Sequence, residues 1–427
     1  MNIIKKLPER QKDPETCCAS VKEGKKYINP WPSVTPREGS SEYSKSKIIK
    51  GYMKNYFSGK EKHENLKVEL NLQAILDYYN NTNTTSATTT TTTNHNNNIA
   101  MQLTWLGHAA FLLQINGFTI LFDPFLSRRA SPISIAGPYR CKERGFKKFS
   151  ELPPIDFVII SHSHYDHLDK KTIKEIFSEK QNKNRTHIFC PLDLKKWFIG
   201  IGIPEKQVTE CDWWDDYEVT RIPEVKNEST TSSLPNQENE NKNENENETN
   251  KNENENEKIP SRKITISAVP AQHFSGRTGF DFNETLWAGW VVKSSDASYY
   301  FAGDTGYRSK PDNYKEEEIE NYPSCPAFKQ IGNIYGPFDM ASIPISPALP
   351  PHMMSPIHSN PRDGVDIHID SKSKHSIAMH WGTVLFNALN PIESGPAKLR
   401  EELDKKNIPH EQFHETYIGE VIIVEKK

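Results

Sequence analysis

Cysteine is scarce in this chain of 427 residues: there are six, Cys17, Cys18, Cys141, Cys190, Cys211 and Cys325, and no two have C-x-x-C spacing. That excludes a dense disulfide framework and fits a reducing compartment. Long apolar runs are missing too. No stretch of about 18 apolar residues occurs, so no segment reads as crossing a membrane. The start, Met1-Asn2-Ile3-Ile4-Lys5-Lys6-Leu7-Pro8, has no apolar core of a secretory leader. An intracellular protein is expected, cytosolic or peripherally attached to a membrane. A strong basic excess is also absent. The formal charge is −3, and residues 236–258 hold eight Glu and three Lys, or −5, so the remainder carries −3 − (−5) = +2. A nucleic-acid partner is not expected from so weak a charge.

Apolar residues make up only 35 % of the chain. The deficit sits in an Asn/Thr tract at 80–98 and in the Asn/Glu/Lys tract at 236–258. Neither has side chains to offset the entropy of ordering, and both read as disordered. Elsewhere the patterning is that of a mixed fold. Apolar positions predict a helix from Leu66 to Tyr79. Dense strand signals begin at Met101, and Asn116-Gly117 marks a hairpin turn before Phe118. Asp169 can cap a helix over Lys170–Ser178. Strands at Thr186–Cys190, Lys263–Val269, Trp287–Val292, Tyr299–Ala302, Met340–Ile345, Ser376–Met379 and Tyr417–Val424 alternate with helices at Arg362–Asp370 and Ala397–Lys405. Sheets covered by helices follow from that order.

What is present in force is histidine at one place. Ser161-His162-Ser163-His164-Tyr165-Asp166-His167 follows the apolar strand Phe157-Val158-Ile159-Ile160. His162 and His164 alternate along an extended chain, so both can face one metal ion. Asp166 and His167 come after the chain turns and can face a second. Zinc accepts imidazole nitrogen and carboxylate oxygen at about 2.0–2.2 Å. Two ions need further ligands. His273, Asp304 and His380 each come one to four residues after an apolar strand, and Gly303 permits close backbone approach beside Asp304. His108 reads as a buried, hydrogen-bonded histidine rather than a ligand.

H-x-H-x-D-H followed by His, Gly-Asp and His after successive strands resembles the metallo-β-lactamase superfamily. Within it the chain is similar to the N-acylphosphatidylethanolamine-hydrolysing phospholipases D. Asn29-Pro30-Trp31-Pro32, Trp105-Leu106-Gly107-His108-Ala109, Asp123-Pro124 and Cys211-Asp212-Trp213-Trp214 carry that likeness. So do Phe301-Ala302-Gly303-Asp304-Thr305-Gly306-Tyr307 and His380-Trp381-Gly382-Thr383. The likeness spans roughly residues 99–425 apart from the acidic tract, plus a short N-terminal piece.

The resemblance implies an α/β (α+β) fold, an αββα sandwich of two face-to-face β-sheets with helices outside. It implies a hydrolase domain over 99–427, which composition interrupts with a disordered Asn/Glu insertion at about 226–260, after an N-terminal extension, residues 1–98, partly ordered and ending in the Asn/Thr tract. It implies two Zn2+ per chain. His162, His164 and His273 would bind one, and Asp166, His167 and His380 the other. Asp304 would bridge them, with Asp166 and Asp304 counted as catalytic. Asp123 would fix a ligand imidazole, and His358 would contact substrate. The implied reaction is attack of a metal-bridging hydroxide on N-acylphosphatidylethanolamine, giving N-acylethanolamine and phosphatidic acid. Implied partners are a membrane phospholipid substrate, peripheral membrane contact and a homodimer.

Trp213, Trp214 and the segment Leu349–Met354 are candidates for an apolar path to the metals, with ordinary core packing the other reading of the two tryptophans. Lys45, Lys47, Lys50, Lys54, Lys60 and Lys62 are candidates for contact with anionic lipid. The sequence departs from the animal pattern at Phe274-Ser275-Gly276-Arg277 and over 346–357, near the expected substrate mouth. The alternative is a phosphodiesterase or lactonase of the same fold with a small soluble substrate.

Overall fold

The computed structural model describes residues 2–13, 15–34, 67–83, 98–133, 137–222, 261–311, 313–385 and 394–426. The acidic insertion, most of the Asn/Thr tract and the cluster from Lys45 to Lys62 lie outside the described residues.

Fifteen strands build two sheets. They are β1 (Asn2–Lys6), β2 (Ile99–Gly107), β3 (Ala110–Ile115), β4 (Phe118–Phe122), β5 (Phe157–Ile159), β6 (His187–Pro191), β7 (Val208–Cys211) and β8 (Asp216–Arg221). The others are β9 (Arg262–Val269), β10 (Gly289–Lys293), β11 (Ser298–Phe301), β12 (Met340–Pro344), β13 (Ser376–Met379), β14 (Phe413–His414) and β15 (Val421–Glu425). One sheet runs β7-β6-β5-β4-β3-β2-β15, and the other β1-β8-β9-β10-β11-β12-β13-β14. The β3–β4 hairpin turns through Asn116 (φ 46°) and Gly117 (φ 78°), both in the left-handed region that two-residue hairpins need.

The sheets pack face to face through apolar side chains that alternate along each strand. Phe122 meets Phe301 at 4.9 Å between ring centroids, and Phe189 meets Tyr217 at 5.6 Å. The opposite face of the first sheet offers Leu112, Leu121, Val158, Ile160 and Ile188. These pack against α1 (Leu72–Asn83), α2 (Lys170–Ser178) and α3 (Lys195–Gly200) through Ile75, Ile173, Ile176 and Phe198. The outer side of the second sheet is covered by α4 (Ala327–Ile334), the short α5 (Pro351–Met354), α6 (Pro361–Asp370) and α7 (Ser394–Lys405). Tyr300, for example, stacks on Phe338 at 5.3 Å. This is the αββα sandwich.

One expectation is corrected. The first helix begins at Leu72 rather than Leu66 and runs to Asn83, into the tract read as disordered. Asn71 Oδ1 accepts from Ala74 N (3.1 Å) as a cap, and Asn83 Nδ2 donates to the carbonyls of Tyr79 (2.9 Å) and Gly117 (3.2 Å), tying down the far end. The N-terminal extension joins the second sheet, where β1 pairs antiparallel with β8, residues 2–6 against 221–217. Trp31 stacks on Trp213 at 5.3 Å, and Asn29 Nδ2 donates to the His273 carbonyl at 2.8 Å. Of the two readings of Trp213 and Trp214, core packing holds: both are buried, their indole N–H groups held by the carbonyls of Trp287 (2.7 Å) and Cys18 (2.8 Å). Boundaries of the other elements differ from expectation by a few residues at most.

Candidate metal centre

Every candidate ligand leaves a strand of the sandwich at the same edge. His162 to His167 follow β5, His273 follows β9, Asp304 follows β11 and His380 follows β13. The alternation of His162 and His164 brings their ring nitrogens together, Nε2 to Nδ1 at 2.7 Å, and His273 Nε2 lies 3.3 Å from His164 Nδ1. His162, His164 and His273 form one group able to hold an ion. Asp166, His167 and His380 form another, joined by His108. Asp166 Oδ2 is 3.4 Å from His167 Nε2 and 3.5 Å from His380 Nε2.

Asp304 Oδ2 sits between the groups. It is 3.1 Å from both His167 Nε2 and His380 Nε2, 3.7 Å from His273 Nε2 and 3.9 Å from His162 Nε2. The carboxylate reaches that point because Gly303 has φ 62° and no side chain; a Cβ there would come within 2.9 Å of Ser161 Cβ.

Supporting hydrogen bonds aim the rings. His167 Nδ1–H donates to Asp123 Oδ2 at 2.7 Å, leaving Nε2 to face the cluster. Asp123, at φ 36° after β4, also accepts from the backbone N–H of Ser161 (2.7 Å) and from its hydroxyl. That hydroxyl in turn accepts from His162 Nδ1 (2.8 Å). His273 Nδ1–H donates to the Ile357 carbonyl (2.7 Å). His108 Nε2 lies 2.9 Å from Asp166 Oδ2, and the His108 carbonyl accepts from the His380 backbone N–H (3.1 Å). His108 therefore braces both a carboxylate and a ring of the second group. It takes φ 58° to do so, and His380 takes φ 64°.

Electrostatics divide the imidazoles. Burial lowers His162 well below the ordinary range, His164 to about 4 and His273 to about 3, so these rings are neutral with lone pairs available. Burial acts against His167 and His380 as well, but Asp304 and its neighbouring carboxylates overcome it. They raise His167 well above its ordinary value and His380 to about 9. Burial opposes charge on Asp166 and Asp304, and the adjacent imidazoles outweigh it and hold both carboxyls well below the usual range.

The donor set fits a pair of borderline-soft divalent cations, being five imidazole nitrogens and two carboxylates in a buried pocket. One atom argues the fit directly: Asp304 Oδ1 is buried without a hydrogen-bond partner, a costly state that a cation relieves.

His358 is drawn to the same place. Its Nδ1 is buried without a hydrogen bond, 3.8 Å from Asp304 Oδ2. The Leu349–Met354 segment, half-exposed except for buried Met354, precedes it. An aromatic chain not anticipated from the sequence runs outward. Phe274 packs on His164 at 4.3 Å and on Phe282 at 5.5 Å, and Phe280 beyond it is 92 % exposed. Arg277 stacks over Tyr165 at 4.0 Å beside the cluster, its Nη1 held by the carbonyls of Ser163 and Leu168.

Residues 119–243 and 227–381 match the model of the beta-lactamase superfamily domain. With this fold and these buried ligand groups, the chain is a metal-dependent hydrolase of the metallo-β-lactamase superfamily. An N-acyl-phosphatidylethanolamine-hydrolyzing phospholipase D 1 of Caenorhabditis elegans is 33 % identical over 323 residues, 74 % of each chain. An uncharacterised protein of Mycobacterium tuberculosis is 30 % identical over 66 % of this chain and 59 % of its own length. A mitochondrial N-acyl-phosphatidylethanolamine-hydrolyzing phospholipase D of Saccharomyces cerevisiae is 25 % identical over 66 % of this chain and 48 % of its own length. The chain belongs to the family of N-acylphosphatidylethanolamine-hydrolysing phospholipases D. Among the described residues no helix is long and apolar enough to cross a membrane.

Proposed function

We propose that the chain is a dinuclear zinc phospholipase D that hydrolyses N-acylphosphatidylethanolamine to N-acylethanolamine and phosphatidic acid. The observation that carries this reading is the position of Asp304 Oδ2, 3.1 Å from two imidazoles of one ligand group and 3.7 and 3.9 Å from two of the other. One carboxylate oxygen so placed suits a bridge between two ions. Zinc held there would acidify a shared water and offset the charge of a phosphodiester.

The chain's own residues divide the remaining work. Asp304 keeps the two ligand groups in fixed register. Asp123 and the Ile357 carbonyl hold His167 and His273 in the tautomer that presents Nε2 inward. His358, buried beside the cluster with Nδ1 unpaired, is suited to donate to a phosphoryl oxygen of the substrate. Phe274, Phe282 and the exposed Phe280 offer an apolar track for an acyl chain and a point of contact with a lipid surface. The substrate assignment follows the relatives from Caenorhabditis elegans and Saccharomyces cerevisiae, both named for hydrolysis of N-acyl-phosphatidylethanolamine.

The test is a product assay by mass spectrometry on micellar N-acylphosphatidylethanolamine, with zinc-loaded protein beside its Asp304→Asn variant. Phosphatidic acid and N-acylethanolamine from the unaltered protein alone are expected. Turnover of a soluble phosphodiester or lactone, with no product from the lipid, would replace the substrate assignment. Full activity in Asp304→Asn would end the bridged two-metal reading.

A further inference from the structure

A cavity of about 680 Å³ opens between the segment after β4, the stretch from Arg140 to Lys147, and the first turns of α2. None of its lining residues belongs to the ligand groups of the metal centre. Its charge is one-sided. Six cations line it, Arg128, Arg140, Lys142, Arg144, Lys147 and Lys171, against three acids, Glu143, Glu151 and Glu175, a balance of 6 − 3 = +3. The acids are partly committed. Glu175 takes both ends of the Arg144 guanidinium at 2.9 and 2.8 Å, and Glu151 accepts from the backbone N–H groups of Lys147 (3.2 Å) and Lys148 (2.8 Å). Lys142, Lys147 and Lys171 form no ion pair among the described residues.

One feature makes this more than a basic surface. Arg140 is 3 % exposed, and all its hydrogen bonds go to carbonyls: Nε to Lys142 (2.8 Å), Nη1 to Phe125 (3.0 Å) and Nη2 to Leu106. No carboxylate lies in ion-pair distance of the guanidinium, and Asp169 favours its charge from further off. Burial lowers it to about 10, so it remains charged at neutral pH. The α2 start beside it is already served by its cap: the Asp169 carboxylate accepts from the Lys171 backbone N–H (3.0 Å), the Thr172 hydroxyl (2.6 Å) and the Ser127 backbone N–H (2.8 Å). Arg140, Lys142, Lys147 and Lys171 line one volume large enough for a phosphate with its ester substituent.

We propose that this cavity is a second, non-catalytic site that binds a phosphate-bearing anion, either a lipid headgroup such as that of phosphatidate or a free phosphomonoester. It lies near the metal centre along the chain, since Lys142 Nζ is 6.0 Å from the ring of Trp381, the neighbour of His380. The proposal does not depend on which ester the metal centre cleaves, and its test reads binding rather than turnover.

Full-length protein is sedimented with phosphatidylcholine vesicles with and without phosphatidate, and titrated in parallel with glycerol phosphate and inorganic phosphate by calorimetry. Lys142→Gln, Lys171→Gln and their double variant are compared with Lys206→Gln, an exposed lysine outside the cavity. Each cavity substitution is expected to weaken binding about fivefold, and the double variant about 30-fold. Lys206→Gln should bind as the unaltered protein does. Retention by phosphatidate vesicles without saturable binding of the soluble phosphates identifies a lipid headgroup, and saturable binding of the soluble phosphates identifies a free phosphomonoester. Binding by neither, or an equal loss in Lys206→Gln, overturns the proposal. Thermal unfolding of each variant separates lost binding from lost fold.

Discussion

Replacing Asp123 by Asn isolates the part of the site that is held indirectly. Asp123 is fully buried and touches no second-group atom except His167 Nδ1, at 2.7 Å. It also accepts from the Ser161 backbone at 2.7 Å and from the Ser161 hydroxyl. Asn keeps the volume and tolerates the φ of 36° at this position. It loses the charge and one acceptor oxygen. Its amide N–H₂ must then face a donor, either His167 Nδ1–H or Ser161. His167 consequently takes the wrong tautomer or turns, and its Nε2 no longer points at Asp304. Loss of such an outer partner weakens a metal site about 10- to 100-fold, or about 1.4–2.8 kcal/mol. The loss should fall chiefly on the ion held by Asp166, His167 and His380. The other group keeps the His273–Ile357 anchor and feels Asp123 only through Ser161. Competition with a chromogenic zinc chelator at fixed pH resolves two binding steps. One weakened step and one nearly unchanged step are expected. Two unchanged steps, or two steps weakened alike, would refute the division of the site into separately braced groups.

Zinc binding should release protons, because His167 and His380 are raised above their ordinary values, His380 to about 9, and must lose the proton on Nε2 to ligate. Apparent affinity therefore climbs as pH rises toward about 9 and falls in acid; calorimetry in buffers of different ionisation enthalpy counts the protons, and a count of zero contradicts the raised values. His108→Asn, which suits φ 58°, should weaken the same ion as Asp123→Asn by removing the 2.9 Å contact to Asp166 Oδ2. Cobalt-substituted protein reports it as a change in the visible ligand-field spectrum, and an unchanged spectrum rejects the bracing role. Phe280→Asp should raise KM several-fold on vesicle substrate, since its ring is 92 % exposed and reaches toward the medium; equal KM on vesicles for variant and unaltered protein would remove Phe280 from the lipid contact.

The clustering of the candidate ligands was legible because it is local or strand-phased. H-x-H-x-D-H needs no tertiary information: alternation puts His162 and His164 on one side, and the turn swings Asp166 and His167 to the other. His273, Asp304 and His380 were legible one step further, as polar residues just past apolar strands. What the sequence left open is set by contacts between distant segments. The pairing of residues 2–6 with 217–221 joins positions more than two hundred apart, and the polar strand Asn2–Lys6 gives no hint of it. The indoles of Trp213 and Trp214 look like lipid contacts until Trp31 and the carbonyls of Trp287 and Cys18 are seen to enclose them.

Backbone conformation was the other hidden variable. His108, Asp123 and His380 all sit at positive φ, a state that sequence pattern does not announce for non-glycine residues. Each pays strain to aim a group at the cluster, and each is joined to the next. Asp123 holds His167, and His108 holds Asp166 through its ring and His380 through its carbonyl. Strained residues persist where the surroundings over-determine them, and here the over-determination is the two-group arrangement around Asp304. The strain is concentrated on the Asp166, His167 and His380 side. The His162, His164 and His273 side is built by ordinary strand alternation. The two sides should therefore differ in metal affinity even in the unaltered protein, with the strained side losing its ion first as the fold loosens.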